Sequence, residues 1–147
     1  MTSDEQRNPS RDREGAVQRA VTSAERKANS YEDLLVWQKG MALVKEAYTI
    51  TRAFPADEKF GLVSQMRRAA VSIPSNIAEG QARHTTGEFV QFVSHAEGSV
   101  AELRTQLLIA IELGYCTKAS TRSAFELMSA LRKMLNALRR NLTARHG

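Results

Sequence analysis

Five polar residues recur at helical spacing between Glu58 and Arg83: Gln65, Arg68, Ser72, Asn76 and Glu79, in steps of 3, 4, 4 and 3. Such steps set them in one stripe along a helix. A row of amide, guanidinium, hydroxyl and carboxylate groups can bind or act on a polar ligand. It can also pair with facing groups as a hydrogen-bonded seam, within the chain or between copies of it. A solvent-facing stripe would carry long charged side chains, and Ser72 and Asn76 are short, so the seam is the expected role. Glu97, Glu102 and Gln106 are the facing candidates. A buried member left unpaired would cost about 1–3 kcal/mol.

The second group with chemistry to offer is basic. The chain of 147 residues has a net charge of +5, and the excess is confined to one end. Residues 1–30 carry six basic and five acidic residues, 31–117 carry eight and ten, and 118–147 carry seven and one. Within the last segment Arg132, Lys133, Arg139, Arg140 and Arg145 can meet phosphates, as RNA or DNA binding without sequence preference would require. The competing reading is a solvated face that keeps the protein in solution. No aromatic residue is seen to interleave the charges, so base stacking is not expected.

Other chemistry finds little support. A di-iron centre in a helical bundle needs Glu-x-x-His, but Phe92 precedes His95 and Gln81 precedes His84 at that spacing, and His146 stands near the end. No metal or other cofactor is expected. Cys116, the single cysteine, has no neighbouring motif that would activate it and reads as a packing residue. No Gly-rich phosphate loop, nucleophile elbow or paired-acid arrangement stands out, so the chain does not read as an enzyme. One cysteine allows no intramolecular disulfide and fits a reducing compartment. No apolar run approaches the roughly 18 residues of a membrane span, and the first residues have neither a signal-peptide core nor transit-peptide character. A cytoplasmic location is expected.

The elements that must position these groups are helical. Only three prolines punctuate the chain, at 9, 55 and 74, and no segment alternates with period 2. Residues 1–30 read as a flexible tail, too poor in apolar groups to offset the entropy of ordering, although Ala16, Val17, Ala20, Val21 and Ala24 would suit a helix formed with a partner. Residues 31–147 read as one domain. A first helix is expected from an Asp33 cap to about Phe54, with Trp37, Met41, Val44, Tyr48 and Thr51 as its inner stripe and Pro55 as its stop. The second carries the polar stripe beside an apolar one of Leu62, Met66, Ala69, Ile73, Ile77 and Gly80. Pro74 lies inside it, and the helix either bends there or breaks and restarts with Ser72 as its cap. Thr85 and Glu88 have capping-box spacing at the start of a third helix. That helix presents Phe89, Phe92, Ala96, Ser99, Leu103, Gln106, Ala110 and Leu113, flanked by Val93, Val100 and Leu107, and ends at a left-handed Gly114. Ala96, Gly98 and Ser99 suggest a close helix–helix approach at its middle. Thr117 or Ser120 caps a fourth helix, to about Thr143, with a seam of Met128, Leu131, Leu135, Leu138 and Leu142. Four helices with short connections imply an all-α, antiparallel up-down-up-down four-helix bundle.

Several blocks along these helices carry a resemblance. They are Asp33-Leu-Leu-Val-Trp37-Gln-Lys, Phe60-Gly-Leu62, Gln65-Met-Arg-Arg-Ala69 and Ser72-Ile-Pro-Ser-Asn76-Ile77-Ala-Glu79-Gly80, then Glu97-Gly-Ser99, Glu102-Leu103, Thr105-Gln-Leu107 and Leu113-Gly-Tyr115. In this order and spacing the chain resembles the four-helix bundle proteins encoded in 23S rRNA intervening sequences, over about residues 31–142. The resemblance implies a small bacterial bundle that assembles as a homopentamer, with no established activity in most members. A related branch, the accessory variability proteins of diversity-generating retroelements, implies binding to a reverse transcriptase and to nucleic acid. The function expected is that of a non-catalytic oligomeric scaffold, with RNA or DNA binding through helix four. The alternative is an accessory protein that docks on a protein partner.

Overall fold

The computed structural model describes residues 30–146. The tail expected over 1–30, with its helical pattern at 16–24, lies outside the described residues except for Ser30. Four α-helices carry the structure: α1 Leu35–Thr51, α2 Leu62–Gln81, α3 Thr86–Glu112 and α4 Arg122–His146. Short 3-10 turns at Tyr31–Asp33 and Ala56–Glu58 precede α1 and α2. Among the described residues there is no strand. Each helix packs on its neighbour in sequence, and α1 also packs on α4. The core between them is apolar, built on fully buried Leu43, Met66, Ile73, Ile77, Leu103, Leu107, Met128, Leu131 and Leu135.

Local chemistry sets the ends. The Ser30 hydroxyl accepts from Glu32 N–H and starts the first turn, so α1 begins at Leu35 and not from an Asp33 cap. At its far end α1 stops at Thr51, three residues short of Phe54. The Thr85 hydroxyl accepts from the Glu88 N–H at 3.2 Å, the expected cap of α3. Gly114, at φ 78°, closes α3. Tyr115 N–H reaches back to Ala110 O and Gly114 N–H to Ile111 O, the two bonds of a Schellman ending. Before α4, Thr117 and Ser120 satisfy each other's backbone N–H groups in a turn, and the helix itself starts two residues later.

Helix α2 runs unbroken through Pro74, which settles the choice against a break and restart. Its expected stripe of Leu62, Met66, Ala69, Ile73, Ile77 and Gly80 is buried throughout. Helix α1 differs from expectation. Its buried residues are Val36, Gly40, Leu43, Ala47 and Thr51, while Met41 is 45% exposed and Trp37, Val44 and Tyr48 are half-buried. Four of the five lie one position before the expected Trp37, Met41, Val44 and Tyr48, and Gly40 in that line packs on Pro74, where a Cβ would make ordinary contact at 3.4 Å. On α3 the buried line passes through Val93, Val100 and Leu107 as well as Ala96, Leu103 and Ala110, and Leu113 is 56% exposed.

Close approach occurs at Gly80 and not at Gly98. A Cβ at Gly80 would lie 2.8 Å from Phe92 Cβ and 3.1 Å from Phe89 Cδ1, whereas one at Gly98 would meet nothing among the described residues within 4 Å. The small patch Ala96-Glu97-Gly98-Ser99 therefore does not mark an intrachain contact at Gly98, which looks outward.

Candidate functional site

The polar stripe of α2 divides on folding. Ser72 and Asn76 are half-buried, while Gln65, Arg68 and Glu79 are exposed. Ser72 Oγ stands 2.6 Å from Ser99 Oγ on α3 and 2.7 Å from the Ala69 carbonyl, and Ser99 donates to the His95 carbonyl. Asn76 Nδ2 donates to the Ser72 carbonyl of its own helix at 2.7 Å. The facing residue is thus Ser99, where Glu97, Glu102 and Gln106 were the expected candidates. Gln106 Nε2 donates to Glu102 on its own helix, and Gln106, only 6% exposed, buries an Oε1 atom with no hydrogen-bond partner among the described residues.

The five cations expected on α4 also divide. Heptad steps put Phe125, Arg132 and Arg139 on one side and Lys133 and Arg140 on another, with Arg122 eleven residues before Lys133 on the same side. Arg139 is committed: its Nε lies 2.7 Å from Glu97 Oε1, and its Nη2 donates to Asn136 Oδ1 at 2.9 Å. That ion pair, partly exposed, ties α3 to α4 and is worth up to about 1 kcal/mol. Arg132, Lys133 and Arg140 are exposed, and among the described residues no carboxylate lies within ion-pair distance of them. Arg145 is exposed near the end of the helix.

No aromatic residue lies among the cations from Arg132 to Arg145. Phe125, seven residues before Arg132, lies on the Arg132 side of α4, and the Arg104 guanidinium of α3 sits over its ring at 5.8 Å. Two adjoining clefts between α3 and α4, of about 480 and 580 Å³, meet at this Arg104–Phe125 pair. One reaches Lys118 and Arg122, and the other reaches Arg132. The heptad spacing of Phe125 and Arg132 was visible in the sequence, but the contribution of Arg104 comes from another helix.

A second surface lies between α1 and α2. Phe60 is 89% exposed and lines an open groove with Tyr48, Val63 and Val71. Arg67 crosses it, stacked over the Tyr48 ring at 4.4 Å and donating from Nε to Thr51 Oγ1 at 3.0 Å.

Nothing in these sites arranges a nucleophile beside a base. Burial raises the Cys116 thiol above its ordinary pKa, which holds it in the unreactive protonated form near neutrality. Partial burial, then Glu58 and Asp57, raise the Tyr115 hydroxyl too. His84 and His95 are exposed. Among the described residues no three His, Cys, Asp or Glu side chains gather as metal ligands. No helix among them is long and apolar enough to cross a membrane.

Fold and surfaces together define a small helical bundle with a basic side on α4 and an open α1–α2 groove in which apolar and aromatic side chains mix with Lys59, Arg67 and Arg68. Residues 32–137 match the family described as 23S rRNA-intervening sequence protein, and the chain belongs to that family. No curated protein matches the chain.

Proposed function

We propose that the chain is a non-catalytic, homo-oligomeric scaffold that holds RNA or DNA without sequence preference on the basic side of α4. The observation that carries this reading is the set of exposed α4 cations, Arg132, Lys133 and Arg140, with no carboxylate partner among the described residues. Phosphates would displace only water and counterions there, so binding would be salt-dependent. In an oligomer the cations repeat with each copy, and a pentamer, the assembly implied by the family resemblance, presents five sets. The half-buried Ser72–Asn76 stretch offers a surface for self-association.

Light scattering of the full chain tests the assembly, and RNA titrated at low and high salt tests the binding. The expected results are a mass well above one chain, and an affinity that falls steeply with salt and collapses in Arg132→Glu/Lys133→Glu/Arg140→Glu. A monomer, or affinity indifferent to salt, overturns the reading. Arg139 is left out of that variant because reversing it would set a second carboxylate against Glu97.

The exposure of Phe60 favours a second reading, in which a protein partner such as a reverse transcriptase docks on the α1–α2 groove. Such docking would survive the charge reversal on α4 and fail in Phe60→Ser.

A further inference from the structure

We infer that the groove between α3 and α4, centred on Arg104 and Phe125, is a site for single-stranded nucleic acid, distinct from the outward face of α4. This inference rests on the nucleic-acid reading above and adds to it a location and a strand preference.

The groove has the two components that single-strand sites combine, a cationic track and an aromatic or apolar platform. Arg104 stands on the α3 wall, Arg122 and Arg132 on the α4 wall, and Lys118 lines the groove from the α3–α4 connection. Arg122 and Arg132 are ten residues apart on one helix, so the track extends over about 15 Å. Glu97 is the carboxylate that lines it, and Arg139 already neutralises that group at 2.7 Å. The platform is Phe125 with Leu108 and Ile111, and Leu108 is exposed to solvent. Arg104 over the Phe125 ring also offers a guanidinium plane, a surface on which unpaired bases stack.

Strand preference follows from where the cations are. They line both walls of a recess between two helices, where a flexible strand can lay its phosphates and turn a base onto the apolar platform. A duplex keeps its bases paired and inward and can only rest on the rim. The outward cations Lys133 and Arg140 have no such platform, and they serve both forms alike. The chemistry also separates nucleic acid from an acidic peptide. Planar guanidinium groups match phosphate bidentately, and the platform suits a flat ring.

The test uses the full chain and fluorescence anisotropy with a labelled oligouridylate of about 15 nucleotides, a length that covers the site sizes of such grooves, against an RNA duplex of equal length. The expected result is tighter binding of the single strand. Arg104→Gln/Arg132→Gln should weaken it at least tenfold and reduce the steepness of its log–log salt dependence by about 1.4, two single-strand phosphate contacts at about 0.7 each. Phe125→Leu, which keeps apolar volume in the groove, should erase the preference over duplex while the thermal midpoint stays near wild type. Lys133→Gln/Arg140→Gln removes the same charge from the outward face and should change single-strand binding less than threefold. Equal binding of both forms, equal loss from the groove and outward pairs, or displacement of the oligonucleotide by polyglutamate at matched charge overturns the groove site and leaves the broader reading standing. Absence of any nucleic-acid binding at low salt overturns both.

Discussion

Gly80→Ala should destabilise the protein although alanine is the better helix former by up to about 1 kcal/mol. The new Cβ would fall 2.8 Å from Phe92 Cβ, an atom fixed to the α3 backbone, and 3.1 Å from Phe89 Cδ1. Ordinary carbon contacts begin near 3.5 Å, so α2 and α3 must separate by roughly 0.7 Å or distort. Overpacking of that kind costs about 1–3 kcal/mol. The internal control is Gly98→Ala on α3, where the Cβ meets nothing among the described residues within 4 Å and the helix gain stands alone. Comparing the two variants cancels the helix-propensity term and isolates the packing term. Chemical denaturation of both, at one protein concentration and with slopes compared, should place Gly80→Ala below Gly98→Ala by about 1–3 kcal/mol. In a thermal scan the gap should be roughly 4–12 °C. A Gly80→Ala protein as stable as Gly98→Ala would refute the close approach. A Gly98→Ala protein that loses assembly would show that another chain covers that site.

Three further outcomes are expected. Gln106→Met, which removes the buried unpartnered Oε1, should leave stability unchanged or raise it by about 1 kcal/mol, because an orphaned acceptor is destabilising; a clear loss in urea denaturation would reveal a partner for that atom. A double-mutant cycle of Ser72→Ala and Ser99→Ala should give a coupling of about 0.5–1 kcal/mol across α2 and α3, and zero coupling would dismiss the 2.6 Å contact as energetically idle. Stability should fall as pH rises into the alkaline range. Cys116 and Tyr115 both have pKa values raised in the folded state, so the unfolded chain loses these protons first and the stabilisation drains away above the ordinary thiol and phenol values. Cys116→Ala and Tyr115→Phe should each flatten that slope in pH-dependent denaturation.

How much of this was legible in the sequence depends on what each helix packs against. The α2 stripe was legible in full because Leu62, Met66, Ile73 and Ile77 are large, regularly spaced and central. On α1 the buried line falls one residue from the expected register, at Val36, Gly40, Leu43 and Ala47, because Trp37, Val44 and Tyr48 read as apolar as the residues beside them and only the facing helices choose between the two lines. Gly98 looked like a contact residue and Gly80 like part of a stripe, and their environments proved opposite; only the partner helix decides which glycine is crowded. The basic character of α4 was plain, yet its cations differ in ways that depend on α3. Glu97 takes Arg139, and Arg104 completes a groove with Phe125. Cross-helix pairing of this kind leaves no periodic trace in either segment. Ser72 pairs with Ser99, which the spacing of α3 sets in line with apolar residues and so hides as a polar partner.

The crowded junction of α2 and α3 also bears on the order in which the chain acquires its structure. These two helices share the most extensive contact in the fold and are joined by residues 82–85 alone, so their meeting closes a very short loop and loses little chain entropy. Helix α1 brings fewer fully buried large side chains than α2: Leu43 and Val36 beside Gly40, Ala47 and Thr51, with Trp37, Val44 and Ile50 half-buried around them. The α2–α3 hairpin is therefore expected to form the folding nucleus, with α1 docking late and releasing first. Native-state amide exchange would then show α1 opening at low denaturant, while the amides around Ile77 and Ala96 exchange only when the whole molecule unfolds.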